Sequence, residues 1–174
     1  ANLTNTDMTF ANLKESNLTK ANLTKAKLTG SNLYKAKMTD ANLTKAVLDG
    51  ANLHNTNLSN ANLSDTSLKR AYLSMTNLRS ANLSGADLRH ADFNNVDVVS
   101  ADLSGANLID AELTDLGFSG VNLSGVNLIG AELRGAELEG ASLRGANLRY
   151  ADLSGTGLTR ADLIDADLEG VKGL

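Results

Sequence analysis

Four carboxylates recur at intervals of twenty residues in the second half of the chain: Asp92, Glu112, Glu132 and Asp152. If the backbone returns to the same place every twenty residues, these side chains lie in one row. Like charges that face each other are destabilising, so a cation should offset them. Arg134, two residues after Glu132, is the simplest source of that charge. The cations of a partner, or a divalent ion with hard oxygen ligands, are the alternatives.

A second charged set lies near the start of the chain. Residues 1–85 carry 10 Lys and Arg against 5 Asp and Glu, whereas residues 86–174 carry 6 against 15, so the net charge of −4 combines a basic half with an acidic half. A basic surface suits an anionic partner, but the only aromatic ring among these lysines is that of Tyr34. A solvated face is therefore the simpler interpretation, and DNA binding is not expected. The lysines that we single out as a candidate interaction surface, together with the four carboxylates, are Lys25, Lys27, Lys35, Lys37 and Lys45.

The remaining reactive side chains form no catalytic set. His54 and His90 are 36 residues apart, and no Ser-His-Asp grouping, HExxH, P-loop or dinucleotide motif accompanies them. The chain contains no Cys, which excludes disulfides and thiolate metal sites. We therefore expect no enzyme, and predict no catalytic residue, no cofactor and no metal site.

One five-residue unit, Ala-(Asn/Asp)-Leu-x-x, carries all of these side chains from Ala1 to Gly170 without an insertion. Among its 34 copies the third residue is Leu in 29, and the first is Ala in 23. A period of five advances an α-helix by about 500° and places alternate leucines on opposite faces of a strand, so neither element can continue. Each pentad must turn, and the leucines and alanines can then share one inner axis.

The fifth residue of the unit marks the turn. Of 15 glycines, 12 occupy this position, which is the third residue of a turn that runs from Leu to the next pentad. A type II turn needs a positive φ there, and Gly supplies it at no steric cost. Lysine adopts this conformation less readily, so the sequence predicts a different, more type I-like corner at four pentads, which end in Lys20, Lys25, Lys35 and Lys45.

The A(N/D)LXX register of residues 1–170 resembles that of the pentapeptide-repeat family. The resemblance implies an all-β fold without helices, a right-handed quadrilateral parallel β-helix with four pentads per coil. The 34 pentads then form a single domain of about 8.5 coils, about 40 Å long at the spacing of paired strands. Residues 171–174 leave the register, because Gly173 stands where Leu belongs, and form a C-terminal tail.

Two features of the coil follow from residues twenty apart. Asn2, Asn22 and their successors up to Asn122 should form a ladder of amides that bond up and down the column; a parallel column of Thr and Ser should do the same. In residues 91–126, Val96 and Leu116 replace the usual Ala. We expect a local swelling of the core there, with Gly117 relieving the crowding.

The resemblance implies a structural or protein-interaction scaffold, of the kind commonest in cyanobacteria. The alternative is a DNA mimic, because quinolone-resistance members of the family resemble a duplex in size and negative charge and bind type II topoisomerases. The acidic half of this chain favours that alternative, and the basic half opposes it. The absence of capping segments at either end also predicts end-to-end self-association through exposed coils.

No apolar run is long enough to span a membrane, and no signal peptide is visible in these residues. This pattern favours the cytoplasm. Because the sequence begins with Ala1 rather than Met, a processed form in the periplasm or thylakoid lumen stays open.

Overall fold

The chain is a coil of pentads, and the computed structural model describes all of residues 1–174. It contains no helix and no multi-residue strand. The second residue of a pentad instead forms a parallel bridge with the residue twenty positions further on, from Asn2 with Asn22 to Asp152 with Lys172; within this range only the pair Asp97 and Gly117 forms no such bridge. Four pentads therefore complete one coil. The predicted all-β, right-handed quadrilateral β-helix is confirmed.

We number the coils 1 to 8 from residues 1–20 to residues 141–160, and residues 161–174 begin a ninth. The four faces are numbered in chain order, so that the first coil contributes residues 1–5 to face 1, 6–10 to face 2, 11–15 to face 3 and 16–20 to face 4. No helix of the chain has the length and apolarity needed to cross a membrane.

The core is the axis of the coil, which the first and third residues of each pentad fill. Fifty-one buried hydrophobic residues form one continuous cluster. Inward-facing threonines are accommodated because their hydroxyls donate to backbone carbonyls: Thr56 to Leu33 at 2.7 Å and Thr76 to Leu53 at 2.8 Å. An unpaired buried hydroxyl would be costly, so these two positions can replace Ala without an unsatisfied donor.

Backbone hydrogen bonds tie each coil to its neighbours. The second residue of a pentad donates to the first residue of the equivalent pentad in the preceding coil, and the third and fifth residues donate to the following coil. In pentad 21–25 these three N–H···O distances are 2.9, 2.7 and 2.9 Å. The first residue of the next pentad closes the turn, as Ala26 does by donating to Leu23 at 2.9 Å.

The one remaining N–H, that of the fourth residue, is satisfied by a side chain. At every pentad whose second residue is Asn or Asp, the Oδ1 of that residue accepts from it, at 2.9–3.4 Å. The prediction of amide ladders along the axis is thus wrong as a general rule. In the column from Asn2 to Asn122 only Asn122 donates axially, to Asp102 at 2.9 Å.

The hydroxyl column behaves in the same way. Of its members only Thr44 and Ser64 approach each other along the axis, with 3.5 Å between their hydroxyl oxygens. The hydroxyl of Thr24 instead donates to Oδ1 of Asn22 in its own pentad, at 2.7 Å. Asn and Asp are therefore common at the second position because they complete the hydrogen bonding of their own turn.

The corners are uniform. Every fifth residue from Asn5 to Gly170 has a positive φ, between 54° and 71°. Lys20, Lys25, Lys35 and Lys45 have φ of 55–58°, so the prediction of a different corner at these lysines is wrong. A left-handed residue other than Gly costs about 1–2 kcal/mol. The repeated coil-to-coil bonds and the buried Leu of each pentad hold the corner against that cost.

One junction departs from the pattern. Between coil 5 (81–100) and coil 6 (101–120), all six coil-to-coil backbone hydrogen bonds of faces 3 and 4 are absent, whereas face 1 keeps its three. The other junctions between complete coils keep every such bond on faces 3 and 4. We call this junction on faces 3 and 4 the seam. The amides that lack a backbone acceptor there are those of Phe93, Asn95, Val98, Ser100, Glu112 and Gly117.

Large inward side chains border the seam. Val96 and Leu116 occupy first positions, and Phe93 and Phe118 occupy third positions; all four are at most 6% exposed, so their extra volume lies inside the coil. Because a close-packed interior cannot absorb extra volume without displacement, the two coils separate. A cleft of about 560 Å³, lined by residues 94–99 and 114–117, opens between them.

Gly117 does not relieve this crowding. A Cβ built on Gly117 would meet no atom within 4 Å, so a larger side chain would fit there. The prediction that the glycine makes room for its neighbours is wrong.

Candidate interaction surfaces

The four carboxylates lie in line on face 3. Parallel bridges join Asp92 to Glu112, Glu112 to Glu132 and Glu132 to Asp152. Glu112 and Glu132 are exposed, and Asp92 and Asp152 are half-buried. We call these residues the acidic row. Glu112, Glu132 and Asp152 follow one another along the rod axis at the spacing of closed coils, about 4.8 Å. Asp92 and Glu112 lie on opposite sides of the seam, where no backbone hydrogen bond joins their coils on this face.

Of the two middle carboxylates of the acidic row, only one has its charge offset by a neighbouring cation. Arg134 donates from Nη2 to Oε2 of Glu132 at 3.2 Å, and both side chains are more than half exposed. Exposed ion pairs of this kind stabilise a fold by about 0–1 kcal/mol. Glu112 makes no side-chain hydrogen bond and no ion pair, so its charge is left to the solvent.

The two ends of the acidic row are held by their own pentads. Asp152 accepts from the N–H of Ser154 at 2.9 Å. Hydrogen bonds from Ser154 lower the pKa of Asp152, and the charges of Arg134 and Lys172 lower it further. Asp92 likewise accepts from the N–H and from Nδ2 of Asn94 in its own pentad, at 3.0 and 2.7 Å. No three His, Asp or Glu side chains of the chain converge closely enough to hold a metal ion.

The five lysines of the candidate surface are all exposed, but they do not share one face of the rod. Lys25 and Lys45 lie one coil apart at the corner between faces 1 and 2, beside Lys27 on face 2. Lys35 and Lys37 lie at the opposite corner and on face 4. The Nζ of Lys27 is 3.7 Å from a carboxylate oxygen in the preceding coil, and the other four form no ion pair. The structure therefore separates the lysines into two groups.

The aromatic ring of the basic half is engaged within the chain. The ring of Tyr34 stacks on that of His54 in the following coil, with centroids 5.6 Å apart and an interplanar angle of 2°. The Nζ atoms of Lys14 and Lys35 lie 5.4 and 5.2 Å from the Tyr34 centroid. The His54 Nδ1 is 2.7 Å from the hydroxyl of Ser74. Tyr34 is thus a member of a stacked column, not a free platform for a nucleic-acid base.

The corner between faces 2 and 3 holds a site that the sequence patterns did not single out. A recess of about 530 Å³ spans coils 3 to 5 there, and we call it the corner recess. The sequence signal that could have revealed it is a pair of basic dipeptides that lie twenty residues apart and follow, one coil later, a glycine at the same pentad position. Its lining consists of Asp49, Gly50, Lys69, Arg70, Arg89 and His90.

Ion pairs hold two of the cations of the corner recess. Arg89 donates from Nε and Nη2 to the two carboxylate oxygens of Asp87, at 2.9 and 2.8 Å. Hydrogen bonds from Arg89 lower the pKa of Asp87. The Nζ of Lys69 is 3.5 Å from Oδ2 of Asp49. Arg70 makes no ion pair and no side-chain hydrogen bond.

Comparison with protein families gives one match. The family model for pentapeptide repeats matches in eight copies, over residues 1–33, 27–65, 36–74, 101–140 and 136–172. Residues 75–100, which include one edge of the seam, lie outside these matches. The comparison with curated proteins finds no match.

Solved structures resemble the chain over nearly its whole length. HetL, a pentapeptide repeat protein involved in heterocyst differentiation regulation in the cyanobacterium Nostoc sp. strain PCC 7120, is 33% identical with a TM-score of 0.70; the alignment covers 98% of this chain and 82% of HetL. A trypsin-treated form of QnrB1, a plasmid-mediated fluoroquinolone resistance protein, is 20% identical with a TM-score of 0.77, covering 98% and 88%. At that identity QnrB1 shares the fold alone.

Proposed function

The chain belongs to the pentapeptide-repeat family, and we propose that it is a non-catalytic scaffold that binds another protein through its charged faces. The acidic row is the observation that supports this most directly. It places four like charges in line, although like charges on adjacent strands are destabilising. A partner that presents Lys or Arg side chains to face 3 would offset that repulsion.

The repeat makes these charges suitable for recognition. Glu132 and Asp152 are carried by pentads whose backbones are bonded to the neighbouring coils, so little backbone freedom is lost when they bind a partner. Asp92 and Glu112 are each bonded to one neighbouring coil and border the seam on their other side. Complementary charges speed association and select the partner more than they raise affinity. HetL, the 33% identical relative, is described as involved in the regulation of differentiation, a role that is compatible with protein binding.

Matched charge variants test the proposal. Glu112→Gln removes the unpaired carboxylate of the acidic row, and Glu137→Gln removes an equally exposed one from the same pentad position on face 4; neither has an ion pair in the wild-type chain. We expect affinity capture from the source cells, followed by titration of the captured protein, to show weaker binding for Glu112→Gln only. Equal binding by both variants would contradict the proposal.

A second candidate, a DNA mimic that binds a type II topoisomerase, is favoured by the concentration of negative charge in residues 86–174, which carry 15 Asp and Glu against 6 Lys and Arg. A gyrase supercoiling assay with increasing protein, with and without a fluoroquinolone, tests it. Inhibition of supercoiling or protection from the drug would support the mimic. Unchanged activity over the titration would eliminate it.

Self-association through exposed coil edges stays a prediction. Backbone groups of the first and last coils of the described residues have no further coil to bond, and unpaired strand edges pair readily with other chains. Light scattering of residues 1–174 over a concentration series measures it. A mass that stays at one monomer throughout would show that the edges do not pair.

A further inference from the structure

The corner recess has the composition of an anion site. We propose that it binds the phosphate group of a small phosphorylated ligand. Its lining contains no hydrophobic residue, so neither an aliphatic chain nor a nucleobase would find apolar contacts there. Charge and hydrogen bonding are the only means of recognition that these side chains offer.

The cations of the recess outnumber its free carboxylates. Asp87 is occupied by the two-pronged contact with Arg89. Asp49 accepts from the hydroxyl of Ser67 at 2.5 Å and from the N–H of Lys69 at 3.1 Å. Both acids are therefore committed to neighbours within the chain, whereas the guanidinium of Arg70 has no protein acceptor.

The donors of the recess suit an oxyanion. A guanidinium presents paired N–H groups that match two phosphate oxygens. Arg70 contributes a complete guanidinium, and Arg89, which Asp87 fixes through Nε and Nη2, retains its Nη1 donors. Lys69 and His90 line the same space. Side chains from two consecutive coils can thus contact one anion.

Two residues leave the recess open to an anion, one because it has no side chain and the other because its carboxylate points elsewhere. A Cβ built on Gly50 would meet no atom within 4 Å, so the glycine leaves an open floor. Asp110, at the same corner in the coil above, lines a smaller cavity with His90, but its side chain extends along the rod to Gly130, where Oδ1 fills the place that a Cβ would need. The carboxylate of Asp110 is therefore directed away from Arg70.

Titration with pyrophosphate at low salt tests the site, since exposed charges are screened at high ionic strength. Arg70→Gln removes the free guanidinium. Arg160→Gln is the matched control, because Arg160 is also an exposed fifth residue without an ion pair, with φ of 59° against 55° for Arg70, and lies at the corner between faces 4 and 1. Calorimetry gives the affinity, and amide chemical shifts give the location.

We expect saturable binding by the wild-type chain, with shifts at Gly50, Arg70 and His90. Arg70→Gln should weaken it by about tenfold or more, the loss of one charge-assisted contact, and Arg160→Gln should leave it unchanged. Equal weakening by both variants would show diffuse attraction and overturn the site, as would the absence of saturation. Circular dichroism of both variants confirms that the fold is intact, so that lost binding can be assigned to the site.

Discussion

On faces 3 and 4, six backbone hydrogen bonds of 2.8–3.1 Å join coil 3 to coil 4, and none joins coil 5 to coil 6. Both junctions have the same pentad register, so the register does not explain the difference. Nor does the first-position Val96 alone, because Thr76, which has nearly the same shape, lies in a fully bonded junction. Leu116 and Phe118 also border the fully bonded junction to coil 7, and Phe93 borders the fully bonded junction to coil 4, so no single large side chain distinguishes the seam. The seam is the junction with large inward residues on both sides, Phe93 and Val96 in coil 5 and Leu116 and Phe118 in coil 6. The volume of the inward side chains therefore decides whether successive coils can close.

Amide hydrogen exchange should show the largest contrast between a fully bonded junction and the seam. Leu73 and Met75 donate to coil 5 at 3.0 and 2.9 Å, and the amides of Phe93 and Asn95 occupy the same positions one coil later without an acceptor. Local opening free energies range from near zero to the global value. We expect the amides of the seam to exchange faster by on the order of a hundredfold or more. Comparable protection of the two pairs would mean that the seam is closed in solution.

Truncation of the core should be more costly where the coils are closed. Leu53→Ala, in a fully bonded junction, should lower the free energy of unfolding by about 2–5 kcal/mol, the range for buried Leu to Ala changes. Leu113→Ala truncates the equivalent third-position leucine of face 3 beside the seam, which is equally buried, and should be less costly because the separated coils can relax around it. Urea denaturation of both variants gives the difference. An equal or greater loss for Leu113→Ala would contradict the view that the seam can relax.

The free energy of unfolding should fall by a smaller amount when the side-chain oxygen that completes a turn is removed. In Asn62→Ala the N–H of Ser64 loses the acceptor that it has at 3.0 Å, and one hydrogen bond stabilises a fold by about 0.5–1.5 kcal/mol. Lys37→Ala, at the same position without such a bond, is the control. Urea denaturation should separate the two variants. Equal stability would show that water replaces the asparagine oxygen without cost.

The smallest effect concerns the corners. Lys25→Gly should relieve a left-handed lysine with φ of 56°, which costs about 1–2 kcal/mol. The greater entropy of Gly in the unfolded chain offsets about 0.5–1 kcal/mol of this gain. We expect a net stabilisation of about 0–1.5 kcal/mol, measured as a small rise in Tm. A lower Tm would show that the lysine stem stabilises the corner by packing.

Substitutions at the seam sharpen the comparison. The double variant Leu116→Ala, Phe118→Leu restores the usual residues of the repeat. If inward volume separates the coils, the amides of Val98 and Gly117 should become protected from exchange. Persistently fast exchange would assign the separation to Phe93 or to the exposed residues of the cleft.

The five-residue period determined the coil, its inward leucines and the alignment of the acidic row. A strictly repeated local pattern needs no knowledge of distant residues, because each copy enforces the same turn. The corners at the lysines were not predictable from residue preference, since bonds to coils twenty residues away, such as that from Lys25 to Thr44, outweigh the local cost.

Only the tertiary structure decided where the stack opens and where the corner recess lies. Whether Leu116 and Phe93 fit depends on the summed volume of several coils, which no single pentad specifies. The charge inside the recess depends on the direction in which Asp87 and Asp110 point. Those directions are set by contacts with Arg89 and Gly130, whose proximity to the recess follows from the packing of side chains along the rod.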